Sequence, residues 1–131
     1  CVVASRHPMA HRKRLSLDDL SRFQWFAFAR MYGRETNFDR LLKPSHRVAF
    51  SAYLSGFGIT PYVLLDTDYA TTMPSRVARV HGRHFPLTMI DLPAPLRDIE
   101  CFMTWSKRQH TSPLNRWIRE QIVDIVNEQP E

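Results

Sequence analysis

Glycine is scarce in this chain, with four in 131 residues, which leaves little material for the loops that cradle phosphates. No P-loop, dinucleotide fingerprint, GxSxG elbow or HExxH pair occurs, so the familiar nucleotide-binding, hydrolase and metalloprotease chemistries lack their sequence signatures. Cysteine is nearly absent too. Cys1 and Cys101 stand far apart and form neither a CxxC nor a metal-ligand spacing, which fits free thiols in a reducing compartment. No run approaches the ~20 apolar residues of a membrane span. The opening apolar stretch, Cys1 to Ala4, is too short for a signal peptide. These features predict a cytoplasmic chain with no membrane partner. A first residue other than methionine, set inside a strand-like run, predicts a fragment of something longer. No repeat or low-complexity tract is present.

What is there suits one globular domain of 15.4 kDa, with 44% hydrophobic and 24% charged residues. Eighteen Lys and Arg against thirteen Asp and Glu give a net charge of +5. Such an excess is compatible with nucleic acid, an acidic ligand or plain solubility. Outside Arg6 to Arg14 the cations are scattered.

In chain order, Cys1 to Ala4 reads as a strand and residues 6–14 as an exposed basic loop. Ser16 with Asp19 forms a capping-box start for a short helix to about Arg22. Trp25 to Phe28 reads as a strand, Arg30 to Gly33 as a loop, and Glu35 to Leu42 as a helix. The stretch His46 to Pro74 has the spacing of a βαβ unit: a strand at Val48 to Phe50, a corner at Ser51 and Ala52, an apolar helical segment through Leu65, a turn at Asp66 to Asp68, and a strand at Tyr69 to Met73. Pro74 starts a helix over Ser75 to Val80, with Val77, Ala78 and Val80 on its buried side and Gly82 as its stop. Leu87 to Leu92 and Ile99 to Trp105 read as strands, separated by the connector at Pro93 and Pro95. Pro113 to Asn127 is the clearest helix, capped by Ser112. Its stripe of Leu114, Trp117, Ile118, Ile122, Ile125 and Val126 reads as a packing face. Strand and helix in alternation predict an α/β fold with an open, mostly parallel sheet flanked by helices.

Chemistry is thinner. His7 and His11 are four apart, but Pro8 interrupts the helix a metal pair would need. His81 and His84 flank a turn, and the Asp18-Asp19 and Asp66/Asp68 pairs suit a helix start and a turn. Cys101 reads as a buried small hydrophobe. No cofactor or metal site is expected. Parallel sheets take ligands at the carboxyl ends of their strands, which draws attention to Ser51, Thr71 and Thr72. Their hydroxyls, facing helix starts, suit a small polar or anionic ligand. They serve equally as an N-cap and two ordinary strand threonines.

Three segments then assemble into a family pattern: HPMAHRKRLSLDDLSRF near the start, DTDYATTMPSRVAR in the middle, and LPAPLRDIECFMTWSKRQHTSPLNRWIRE near the end. In this order they resemble the effector-binding domain of LysR-type transcriptional regulators, over nearly the whole chain. The ATTMP and LP-PL segments are closest to the branch with nodulation regulators and regulators of aromatic-compound response. The resemblance implies a lobe like those of type 2 periplasmic binding proteins. Residues 5–98 would form the second lobe, and residues 99–131 the return strand and terminal helix of the first. It implies no enzymatic activity and a small aromatic or anionic effector held between lobes, contacted from Phe50, Ser51, Ala52, Tyr53, Thr71 and Thr72. It also implies a homodimer or tetramer that meets DNA only through a winged helix-turn-helix not present in this chain. Readings from other classes are a stand-alone small-anion binding or transport module, and a small enzyme using Cys101 or a histidine.

Overall fold

The structure is a computed structural model that describes residues 1–28, 42–97 and 102–128. It divides into two compact units, residues 1–99 and 100–131.

The first unit is built around Gln24–Phe28, hereafter β2, where Trp25 and Phe26 are both fully buried and point to opposite faces. That is what the pleat demands of a strand covered on both sides. Phe50–Leu54 (β3) and Tyr69–Ala70 (β4) pair with β2 in parallel, giving the order β3-β2-β4. Val2–Ala4 (β1) and Leu87–Met89 (β5) form an antiparallel ladder. Two hydrogen bonds join the ladders: the Val2 N–H donates to the Thr71 carbonyl at 2.8 Å and the Thr71 N–H to the Val2 carbonyl at 3.1 Å. The result is a mixed α/β sheet with a parallel centre.

Two short helices serve this unit, Thr60–Asp66 (α1) and Ser75–Gly82 (α2). Leu64 and Ala78 from these helices pack with Val2, Phe26 and Met73 on one side of the sheet. On the other side Trp25 meets Leu15, Leu20, Phe23, Leu42 and Ile90. The Trp25 indole N–H donates to the Leu20 carbonyl at 2.7 Å, which ties the 3-10 turn Asp18–Arg22 to β2. The capping box forms as expected: the Ser16 N–H and hydroxyl both donate to Asp19 Oδ2, and the Asp19 N–H returns a bond to Ser16 Oγ.

Several expectations need correction. No helix opens at Ser51. The alternation of Phe50, Ala52 and Leu54 with Ser51, Tyr53 and Ser55 has period two, so the segment extends as β3, and the helix waits until Thr60. The strand expected over Tyr69 to Met73 keeps only two residues in the parallel ladder, because Thr71 turns to pair with Val2. Residues 6–14 are mostly exposed, but His7 is buried. Its Nε2–H donates to the Asp68 carbonyl at 3.1 Å, its Nδ1 accepts from the Met9 N–H at 3.0 Å, and its ring stacks on Phe23. Val80 faces outward on α2. The loop at Arg30 to Gly33, the helix from Glu35 up to residue 41, and Cys101 lie outside the described residues.

In the second unit Pro113–Glu128 (α3) has the expected bounds, with the Asn115 N–H on Ser112 Oγ at 3.5 Å. Its apolar stripe is not buried: Leu114, Trp117, Ile118, Ile122, Ile125 and Val126 are 41–65% exposed. The rest of the unit's described chain, residues 102–112, is too short to cover a sixteen-residue helix. Phe102 to Trp105 makes no ladder and is exposed. Trp105 instead donates its indole N–H to His110 Nδ1 at 3.2 Å and lies under the Arg119 guanidinium at 4.6 Å.

Candidate functional site

The feature that distinguishes β3 is a break in register. Trp25 pairs with Phe50 and Phe26 with Ala52, so β3 spends two residues where β2 spends one. Ser51 is the extra residue, a bulge in a parallel pair, and bulges of this kind re-aim the side chains that follow. Before the bulge Phe50 shares a face with Trp25. After it, Tyr53 pairs with Ala27 and comes to that same face, while Ala52 and Leu54 join Phe26 on the other. Without the extra residue Phe50 and Tyr53 would lie on opposite faces, three positions apart. With it their ring centroids are 6.1 Å apart.

The five side chains singled out from the sequence therefore fall into two groups. Phe50, Ser51 and Tyr53 stand together on β3, which is the last strand of its three-stranded ladder. Phe50 is half-buried against the Trp25 cluster, whereas Ser51 and Tyr53 are exposed. Thr71 and Thr72 lie across β2, beyond β4. The Thr71 side chain is fully buried, and its hydroxyl donates to the Phe26 carbonyl at 3.0 Å. That bond fastens the β1–β4 junction to the central strand, so this hydroxyl already has a structural task. Thr72 is half-buried.

The carboxyl end of β3 is Leu54, four residues beyond the strand end expected from the sequence. The exposed hydroxyl there belongs to Ser55, which sequence reasoning missed. It is followed by Gly56 in extended backbone and the 3-10 turn Phe57–Ile59. Phe57 stacks edge-on against Phe28 at the matching end of β2, with centroids 4.2 Å apart. The signal that could have found Ser55 is the period-two alternation through Leu54. The resulting surface offers two aromatic rings, two hydroxyls and no charged group from β3, which suits a small ring-bearing ligand with polar substituents.

The turn behind this surface is held from the N-terminal loop. Arg6 donates twice to the Leu65 carbonyl, from Nε at 3.1 Å and from Nη2 at 2.8 Å, while His7 holds the Asp68 carbonyl. Together they secure the end of α1 and the entry to β4. His11 bonds the Pro8 carbonyl and takes no part with His7. Among the described residues no cluster of three or more His, Cys, Asp or Glu could hold a metal.

Comparison with known proteins places this geometry. A family model described as the LysR substrate binding domain matches residues 1–126. The chain belongs to the LysR family. Among curated LysR relatives, Nodulation protein D 1 of Bradyrhizobium diazoefficiens is 32% identical over 84 residues, covering 64% of this chain and 27% of the relative. The HTH-type transcriptional regulator SyrM 1 of Sinorhizobium fredii is 26% identical over 126 residues, covering 93% of this chain and 36% of that protein. The chain thus spans about a quarter to a third of the length of these relatives. A crystal structure provisionally assigned as a transcriptional regulator from Vibrio parahaemolyticus superposes with a TM-score of 0.70 at 20% identity, covering 95% of this chain and 58% of that one. At that identity the likeness is one of fold. The α/β reading, the family and the link to transcription regulation stand on these findings. Among the described residues no helix is long and apolar enough to cross a membrane.

Proposed function

We propose that this LysR domain is the ligand-sensing part of a cytoplasmic DNA-binding regulator, and that it takes a small aromatic or anionic effector against the bulged face of β3. The observation that carries this reading is the register break at Ser51, which brings Phe50 and Tyr53 to one face beside an exposed hydroxyl. Phe50 and Tyr53 supply ring contact, Ser51 and Ser55 supply hydroxyls to polar substituents, and Thr72 contributes from the far side of β2. Thr71 acts from behind, by holding β4 in place through Phe26. In this reading the effector is enclosed between this surface and a second lobe. Its binding favours one arrangement of the lobes and so biases how a dimer or tetramer presents its winged helix-turn-helix domains to DNA. DNA contact belongs to those domains, and the sensing unit performs no chemistry on its ligand.

Calorimetric titration with small aromatic carboxylates, benzoate and its hydroxylated derivatives, tests the proposal. The expected result is saturable binding that Tyr53→Ala and Ser51→Trp each weaken at least tenfold while the unfolding midpoint stays within a few degrees. Binding that both variants retain unchanged would move the site elsewhere.

A further inference from the structure

The outward face of α2 is cationic. Arg76, Arg79 and Arg83 recur at three- and four-residue spacing, with the exposed Val80 among them, and α2 contains no acidic residue. Opposite lies the buried Ala78, so these arginines point away from the sheet. Part of this pattern complements the helix dipole, since Arg79 and Arg83 sit in and just after the last turn. The dipole needs no such spacing of arginines along one exposed face, however. Among the described residues no carboxylate lies within ion-pair distance of Arg79 or Arg83.

The second unit carries the matching pattern. Glu120, Asp124 and Glu128 recur every four residues on α3 and form an exposed acidic ridge. At 100° per residue the ridge runs beside Trp117, at the edge of the exposed apolar stripe. Arg116 and Arg119 are the nearby cations, sharing with Glu120 and Asp124 the lining of a shallow concavity of about 290 Å³. Arg119 is occupied by the Trp105 ring and the His110 carbonyl, and no ion pair within 4.0 Å joins Arg116 to the ridge among the described residues.

We propose that the arginine face of α2 docks on the acidic ridge of α3 from a second copy of this chain. Charge complementarity carries the inference. Arg79 and Arg83 are four apart, as are Glu120 and Asp124, so each pair repeats at about 6 Å along its helix. Two helices laid side by side can therefore make two ion pairs in register. Val80 among the arginines meets the apolar border of the ridge at Trp117, so the contact buries apolar surface as well. Arginine suits this task through its planar donors and its affinity for aromatic faces. The contact joins unlike patches, so each copy presents both halves of it. This inference is independent of where an effector binds.

Sedimentation velocity on the chain across a concentration series, at low and moderate salt, provides the test. The expected result is self-association that weakens at least tenfold as salt screens the pairs. Arg79→Glu with Arg83→Glu should abolish it, as should Glu120→Arg with Asp124→Arg, with circular dichroism confirming that both variants are folded. Mixing the two charge-reversed variants should restore a complex, because each then supplies one swapped half. A monomer at every concentration overturns the proposal, and so does a mixture that stays dissociated. Association that survives high salt and is lost on Ile118→Ser with Ile122→Ser assigns the contact to the apolar stripe instead. Retention of an arbitrary DNA duplex by the parent, lost on Arg79→Glu with Arg83→Glu and accompanied by no self-association, makes the arginine face a nucleic-acid surface and likewise overturns the proposal.

Discussion

Thr60 shows how much a single buried atom can decide. The residue is fully buried at the start of α1, and among the described residues its hydroxyl has no hydrogen-bond partner. A buried donor left without a partner costs on the order of 1–3 kcal/mol. Thr60→Val keeps the branched shape and removes the hydroxyl, so it should raise stability by about 1 kcal/mol in urea unfolding; a loss instead would show that the hydroxyl is bonded. Asp19 is the opposite case. The Ser16 backbone N–H, then the Ser16 hydroxyl, hold its carboxyl below the usual aspartate range, with smaller help from Arg12 and Arg22 and against some desolvation. A carboxyl whose folded value is lowered stabilises the protein fully above the unfolded aspartate value, about 3.9. That stabilisation fades as pH falls below this point and through the lowered folded value. Asp19→Asn should therefore reduce stability at neutral pH and flatten its decline between about pH 4 and 2, as followed by acid titration of the unfolding midpoint.

At the scale of elements, the exposed stripe of α3 sets a measurable difference between pattern and packing. Helical spacing alone makes Trp117 a core residue whose truncation costs about 3 kcal/mol. In the structure its side chain is 57% exposed, and a change at such a surface position costs within about 0.5 kcal/mol. Trp117→Ala should thus leave the chain's urea midpoint nearly unchanged. The bounds of α3 were legible because Ser112, Pro113 and the apolar spacing are local signals. Its burial was not, since a stripe records only that a face wants a partner. The same division runs through the first unit. The capping box at Ser16, the central strand at Trp25 and the helix after Pro74 all follow from residues within one turn or one strand. Ser51 was misjudged because a parallel bulge is made by the partner strand's register, which no local pattern encodes. His7, in a stretch of cations, owes its burial to the Asp68 carbonyl, sixty-one residues away. For the candidate site, sequence reasoning found the right strand and the threonine pair, but set the strand end four residues early and so passed over Ser55.

For the molecule as a whole, the family and the order of its motifs were readable, whereas the division of labour between side chains needed the sheet. That division gives a prediction about function. Thr71 and Tyr53 were indistinguishable as candidates in the sequence, yet one hydroxyl is consumed by the Phe26 carbonyl and the other side chain is open. Thr71→Val leaves a buried carbonyl with one bond fewer and should lower stability by about 1–2 kcal/mol. Ligand affinity in the proposed site should hardly change, because the threonine touches no open surface. Tyr53→Ala should do the reverse, lowering affinity while stability holds. In a regulator carrying this domain, a transcription reporter should then read Tyr53→Ala as loss of effector response with operator binding intact. Thr71→Val should read as reduced protein level with a normal response per molecule. Equal loss of response from both substitutions, at matched protein levels, would mean that effector binding draws on the β4 junction itself, and that the ligand lies across β2 and not against β3.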